Sequence, residues 1–368
     1  MATLSAGLWP FQAPLNAMTW LKSGGLHVGQ YGSAVTTNPL RRGDATTRSC
    51  SLEIWVKADA QENDGTILGF IEPDNSGLLF AVRQSLGDLE LRLGPLTRHP
   101  ARGTRIYADD AFRSPQWKFL TITSGVQGTN VYSEGRLAAQ RPAFRIPASA
   151  CGGELMIGNA PGIVDSWSGE IKGAAIYNRE LSPDEVSRNY LVSTHDGGNG
   201  LAGTDDLLAL FRFNEGTGSV IHNSVKDATD LQIPEHFFVL KKPFLEAPWD
   251  EFYMGWSYWG NVILNIAGFL PLGLAFYALF WSMGMDNQRL AVTIAVGLAV
   301  SLTIEVLQGF LPTRRSGITD LFTNTLGTAL GAICFRWSAI HNLQIRFAPF
   351  LRHSDRDHIK ENASKGVR

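Results

Sequence analysis

FYMGWSYWGNVILNIAGFLPLGLAFYALFWSMGM, Phe252 to Met285, contains no charged residue. A helix needs roughly 20 consecutive apolar residues to cross a hydrocarbon core, and this run exceeds that length. It divides the chain. Residues 1–248 mix charge and glycine freely, with 22 Lys and Arg against 26 Asp and Glu, a net of −4. On the other side, Leu290 to Leu311 is interrupted only by Glu305, and Ile318 to Phe335 carries Asp320 near its start. The pattern predicts three spanning helices, over 258–282, 289–311 and 318–337. The mean hydropathy of −0.03 averages over this division and hides it.

The amino-terminal two thirds read differently. SLEIWVKA, GTILGFI, GLLFAVRQ, DLELRLG, WKFLTITSG and GELMIGNA have strand length and frequent alternation, and turn residues separate them. That spacing suits an all-β sandwich or barrel. One helix interrupts, Ser182 to Leu191, with Ser182 as N-cap, Pro183 at the first helical position and Glu185 three residues on. These form a capping box. The fold class expected is therefore multidomain: an all-β jelly-roll sandwich followed by an all-α transmembrane bundle of three helices. The expected divisions are an N-terminal segment 1–22, the sandwich 23–235, a linker and membrane-interface segment 236–257, the bundle 258–337 and a basic tail 338–368.

Composition excludes several classes. The near-neutral balance offers no basic stripe with interleaved aromatics, so no nucleic-acid partner is expected. The three cysteines form no C-x-x-C, and the eight histidines no ligand spacing, so no metal site is expected. Cys334 reads as a small residue of the third apolar run. Cys50 and Cys151 either pair, in an oxidising compartment, or stand as separate thiols. Calcium remains admissible at acidic loops such as Asp109–Asp110 and Asp205–Asp206, although adjacent loop acids are usually solvated.

The membrane region carries the sharper pattern. Residues three or four apart share a helix face. Glu305 and Gln308 project together, as do Asn261 and Asn265, and as do Asp320, Asn324, Gly327 and Gly331. Gly327 and Gly331 make a small-xxx-small pattern that admits close helix approach. Pro271 removes a backbone donor and favours a bend near Ala267. The connection PTRRSG is short, which keeps Arg314 and Arg315 within reach of Glu305 and Asp320. Polar stripes inside a membrane normally face one another or a wet cavity, and ionisable groups there point to function. The expected site is a polar cluster of Asn265, Glu305, Gln308, Arg314, Asp320 and Asn324, with Pro271, Gly273, Gly327 and Gly331 as packing positions. Its charges are expected to neutralise one another. Trp249, Phe252, Tyr253, Trp256, Tyr258 and Trp259 suit an interfacial aromatic belt.

Two resemblances follow from these residues. SWSGEIKGAAIYNRELSPDEVSRNYL, with WKFLTITSG and NVYSEGRL, resembles the closing segment and paired strands of laminin-G/concanavalin-like jelly rolls, over roughly residues 20–235. That fold hosts lectins and glucanases. The glucanase pattern E-x-D-x-x-E is absent, so the resemblance implies a binding or spacer module over a hydrolase. The second is to the VanZ-like family, over about 255–335. It rests on Asn265 with Pro271-Leu272-Gly273, on Glu305 and Gln308, and on Pro312, Arg314, Asp320, Asn324 and Gly327. It implies a bacterial membrane protein, with a possible link to low-level glycopeptide-antibiotic resistance and no established reaction. Some members carry a laminin-G-like insert after a first spanning helix. MATLSAGLWPF is too short to be that helix, which leaves charge to set sidedness. Arg336, Arg346, Arg352, Arg356, Lys360, Lys365 and Arg368 outnumber Asp355, Asp357 and Glu361 and favour a cytoplasmic C-terminus, while Arg314 and Arg315 favour the reverse.

The expectation is an inner-membrane, multi-pass envelope protein, read as a binding protein ahead of an enzyme, with the enzyme question left open. Its extracytoplasmic jelly roll binds a glycan, and its polar seam meets membrane lipids or a lipid-linked precursor. No cofactor is expected. The alternatives are a hydrolase or transferase on a lipid-linked substrate, with Glu305 or Asp320 as acid–base and Arg314 on a phosphate, or a structural envelope scaffold.

Overall fold

The computed structural model describes residues 12–40, 49–73, 77–96, 101–195, 207–240, 242–252, 254–285 and 287–338. Contacts divide the chain into two compact units, one of Gln12–Lys242 and one containing Pro243–Arg368.

The first unit is an antiparallel β-sandwich. Its strands, in chain order, are β1 (Met18–Trp20), β2 (Leu26–Val28), β3 (Ala34–Thr36), β4 (Cys50–Ala58), β5 (Asp64–Ile71), β6 (Leu78–Ser85), β7 (Asp88–Leu93) and β8 (Arg105–Ala108). There follow β9 (Lys118–Gly125), β10 (Gly128–Ser133), β11 (Arg136–Arg141), β12 (Glu154–Ile157), β13 (Gly169–Tyr177), β14 (Leu207–Phe211), β15 (Val220–Ile221) and β16 (Leu231–Gln232). One sheet has the order β1-β2-β13-β4-β9-β10-β11, with β14 also on β13. The other runs β15-β16-β3-β12-β5-β6-β7-β8. β1 and the bridge between Leu15 and His236 carry the sandwich outside the 23–235 read from sequence.

Alternation builds the core. On β4, Leu52, Ile54 and Val56 point inward with Leu120 and Ile122 of β9, Phe80 and Val82 of β6, and Leu89 and Leu91 of β7. Ser51, Glu53, Trp55 and Lys57 take the opposite face, as a period of two requires. Between β10 and β11, Glu134 and Gly135 both have positive φ, 54° and 72°, the twist a tight hairpin needs. Cys50 and Cys151 are joined in a disulfide, with Cα atoms 6.5 Å apart.

The helix α1 (Pro183–His195) follows β13 and runs four residues past its expected end. Its capping box forms as read from sequence: Ser182 N–H donates to Glu185 Oε2 at 2.8 Å, and Glu185 N–H to Ser182 Oγ at 3.3 Å. Arg179 adds two bonds to the same carboxylate, at 3.0 and 2.8 Å.

The second unit is helical: α2 (Pro248–Glu251), α3 (Trp256–Ser282), α4 (Arg289–Gly309) and α5 over 318–338. Here the expectation of three spans is met in part. Among the described residues, two helices, α3 and α4, are long and apolar enough to cross a membrane. α5 forms where expected, but Thr319, Asp320, Thr323, Asn324, Thr325 and Thr328 dilute its hydropathy. α3 continues through Pro271 as one helix. Trp249 and Trp256 are strongly exposed, at 79% and 93%, as an interfacial belt requires. Tyr253 and the basic residues after Ser338 lie outside the described residues.

Candidate functional site

Small residues set the three long helices against one another. A Cβ at Gly327 would collide with the Ile266 carbonyl, and one at Gly331 with the Leu270 carbonyl, both on α3. A Cβ at Gly273 would strike the Thr328 backbone, and one at Gly297 of α4 the Thr328 side chain. α5 therefore lies backbone-close to α3, the geometry that small-xxx-small pairs permit. Gly273, Gly327 and Gly331 sit in this seam. Gly297 was missed, although its signal exists: Thr293, Gly297, Ser301 and Glu305 recur every four residues and are all buried.

The polar residues gather above these contacts, at the head of α5. Glu305 is 1% exposed, and its Oε2 accepts the Gly317 N–H at 2.8 Å. Asn265 Nδ2 donates to Asp320 Oδ1 at 2.7 Å and lies 3.4 Å from Thr323 Oγ1. Asn324 Nδ2 donates to Ser301 Oγ at 3.0 Å. Gln308 is buried on the same face of α4 as Glu305. Asn261, one turn before Asn265, is exposed and stands apart from the cluster.

A third carboxylate joins from outside the stretch that sequence singled out. The chain ahead of α2 pairs with the start of α5: Glu246 N–H donates to the Ser316 carbonyl at 2.8 Å, and Ile318 N–H to the Glu246 carbonyl at 3.0 Å. This bridge brings Glu251 over Gly317, with its Oε2 accepting the Thr319 N–H at 3.3 Å. Burial pushes the Glu251 carboxyl up, and the nearby charges of Asp320 and Glu246 add to that.

The expected neutralisation by arginine is corrected. Among the described residues, neither Glu305 nor Asp320 pairs with an arginine; Arg315 is exposed and Arg314 half-buried. The reason lies in the helix. Its first backbone N–H groups lack intrahelical acceptors and carry a partial positive charge, so they receive carboxylates directly. Among the described residues, Asn324 Oδ1 is buried without a hydrogen-bond partner, and so are the Ser316 and Thr319 hydroxyls, which can donate as well as accept. Its three carboxylates make the cluster rich in acceptors, which suits a ligand that presents donors.

On the sandwich, a cavity of about 490 Å³ opens between Asn38, Leu40, Asn178, Leu208 and Asp227. Among the described residues, no group of three or more His, Cys, Asp or Glu is placed to hold a metal ion. Asp110 faces Arg113 at 3.5 Å, while Asp205 and Asp206 lie outside the described residues.

Comparison with known proteins finds two families along the chain, the second match starting within the sandwich at β14. Residues 29–187 match the family model described as the concanavalin A-like lectin/glucanases superfamily, and residues 208–340 match that of VanZ/LLP1. No curated protein matches the chain. Among solved structures, a candidate carbohydrate binding protein from Bacteroides ovatus is 14% identical, with 60% of this chain and 58% of that one covered, at a TM-score of 0.40. The receptor binding domain of a botulinum neurotoxin C/D mosaic serotype is 18% identical, covering 49% and 46%, at 0.36. A Trypanosoma rangeli sialidase is 18% identical, covering 51% and 30%, also at 0.36. This chain spans less than two thirds of each of them. The protein joins an amino-terminal concanavalin-like domain of the laminin-G type to a VanZ-like carboxy-terminal region.

Proposed function

We propose that the protein is a bacterial envelope-binding protein of the inner membrane. In this reading α3, α4 and α5 all cross the bilayer, the sandwich faces outward and engages glycan, and the C-terminus is cytoplasmic. The head of α5 receives the headgroup of a lipid-linked envelope component.

The carrying observation is the convergence of Glu251, Glu305 and Asp320 on one helix start, beside the unused Asn324 Oδ1. Intramembrane ionisable groups are expensive and so point to function. Acceptors in such number suit the hydroxyls and amide N–H groups of a sugar headgroup, and the apolar walls of α3 and α4 suit a lipid tail. The Cys50–Cys151 disulfide supports an oxidising, extracytoplasmic sandwich. If the occupant is a wall precursor, the glycopeptide-resistance link follows, and drug susceptibility of a deletion strain measures it.

The test uses the protein in nanodiscs with a polyprenyl-phosphate-linked, N-acetylated sugar, followed by native mass spectrometry. Wild type should retain that lipid over the bare polyprenyl phosphate, while Glu305→Gln and Asp320→Asn lose the preference. Equal retention by all three proteins, with only thermal stability altered, would leave the seam as packing alone. Release of sugar by wild type but not by the variants would instead make the protein an enzyme.

A further inference from the structure

The outer face of the β1-β2-β13-β4-β9-β10-β11 sheet is only half covered. Leu181, just ahead of α1, and Val186 on it pack on Tyr132, Ala175, Tyr177 and Leu210, and Asn189 Nδ2 donates to Glu53 at 3.1 Å. Past the helix the same face continues through Trp55, Lys57, Glu170, Lys172 and Trp117, all half-buried. Register places Glu170 opposite Lys57, and Trp55 between Gly173 and Phe119.

These side chains form an ordered platform. The Trp55 and Trp117 rings meet edge-on with centroids 6.0 Å apart. Lys172 Nζ stands 4.4 Å from the Trp117 centroid and 5.2 Å from that of Trp55. Lys57 Nζ stands 5.9 Å from Trp117 and is held by Glu170 Oε1 at 2.9 Å. Beside them a crevice opens, bordered by Glu53, Trp55, Lys172, Ser193 and Arg212. Ser193 is 0% exposed, and its Oγ has no partner among the described residues; neither has the buried Nε of Arg212. Two indoles, three cations and two unused polar atoms thus meet on one patch. Opposing them are two carboxylates, Glu170 tied to Lys57 and Glu53 tied to Tyr177 and Asn189.

We propose that this uncovered half-sheet binds a carboxylate-bearing saccharide, with a sugar ring on Trp55 and Trp117 and its carboxylate on Lys172. Indoles present a broad apolar face with a negative quadrupole, which suits the C–H face of a pyranose. The lysines choose among sugars by charge. The crevice beside Ser193 and Arg212 measures only about 10 Å³, so the sugar rests on the platform and does not enter it. This deepens the reading of the sandwich as a glycan-binding module and rests on it.

The experiment is calorimetry on the full chain in detergent micelles, titrated with an oligogalacturonate and with its methyl ester, which keeps the ring and removes the charge. Wild type should bind the acid about tenfold more tightly than the ester, less so as salt rises. Lys172→Gln should erase that preference, and Trp117→Ala should weaken both ligands about tenfold. Arg102→Gln, an exposed arginine between β7 and β8 on the other sheet, should change nothing. A Lys172→Gln protein that keeps its preference overturns the location but leaves glycan binding in place. Wild type binding neither oligomer overturns the saccharide class, and the lipid-linked sugar assay then decides the broader reading separately.

Discussion

Asn265 on α3 reaches across 55 residues of sequence to donate to Asp320 on α5, at 2.7 Å. This bond ties the first apolar helix to the acidic head of the third. Removing it leaves a half-buried carboxylate short of its donor. Asn265→Ala should lower stability by about 1–3 kcal/mol, toward the lower end if the membrane offers substitutes. Asp320→Asn, which keeps a polar partner, should change it less. Thermal unfolding in detergent measures both, and an Asn265→Ala protein as stable as wild type would contradict the assigned bond.

The glycine seam makes a sharper contrast. Gly327→Val places a Cβ against the Ile266 carbonyl, and a backbone atom cannot step aside. A loss of about 2 kcal/mol or more is expected, the range of overpacked cores. Gly268, on the same helix as Ile266, has open space around it, so Gly268→Ala should stabilise by about 0.5–1 kcal/mol through helix propensity. Opposite shifts in unfolding temperature from two glycines on touching helices are the signature to look for.

Glu53 makes stability depend on pH. Burial under α1 pushes its carboxyl from the usual 4.5 up to about 7, partly offset by hydrogen bonds from Tyr177 and Asn189. Between those values the unfolded chain has released this proton while the folded chain holds it. Stability therefore falls as pH rises from about 4.5 to about 7, and then levels off. The full effect is on the order of 3 kcal/mol. Glu53→Gln keeps the shape and the acceptor. It should match wild type near pH 4 and exceed it at pH 8, and parallel unfolding curves for the two proteins across that range would refute the assignment.

The disulfide closes a separation of 101 residues between β4 and the turn before β12. Constraining an unfolded loop of that size typically stabilises by about 2–4 kcal/mol. Reduction, or replacing Cys50 and Cys151 by alanine, should lower the unfolding temperature of the sandwich by that equivalent. The helical unit, which carries Cys334 alone, should be indifferent to reductant.

Much of this architecture is legible in the residues. Alternation on segments such as SLEIWVKA marks the strands, because the core takes every second side chain. Ser182, Pro183 and Glu185 mark the start of α1, because capping is local chemistry. Glycine spacing marks the α3–α5 seam for the same reason. What escaped is tertiary. Glu251 enters the acidic cluster through the pairing of Glu246 with Gly317, which no short-range pattern encodes. The arginines looked like the natural partners of Glu305 and Asp320, yet backbone N–H groups and an amide take that place. Glu53 reads as an outward-facing strand residue, and only the docking of α1 buries it.

The central claim is that the sandwich is displayed outside the membrane, where glycan is available. Val126 sits at an exposed turn between β9 and β10, which suits a single-thiol reporter. The measurement is Val126→Cys in a Cys334→Ser background, with the disulfide intact, probed by a membrane-impermeant maleimide on spheroplasts. The account predicts full labelling of intact spheroplasts, unchanged by permeabilisation. Labelling that appears only after permeabilisation would place the sandwich in the cytoplasm and contradict it.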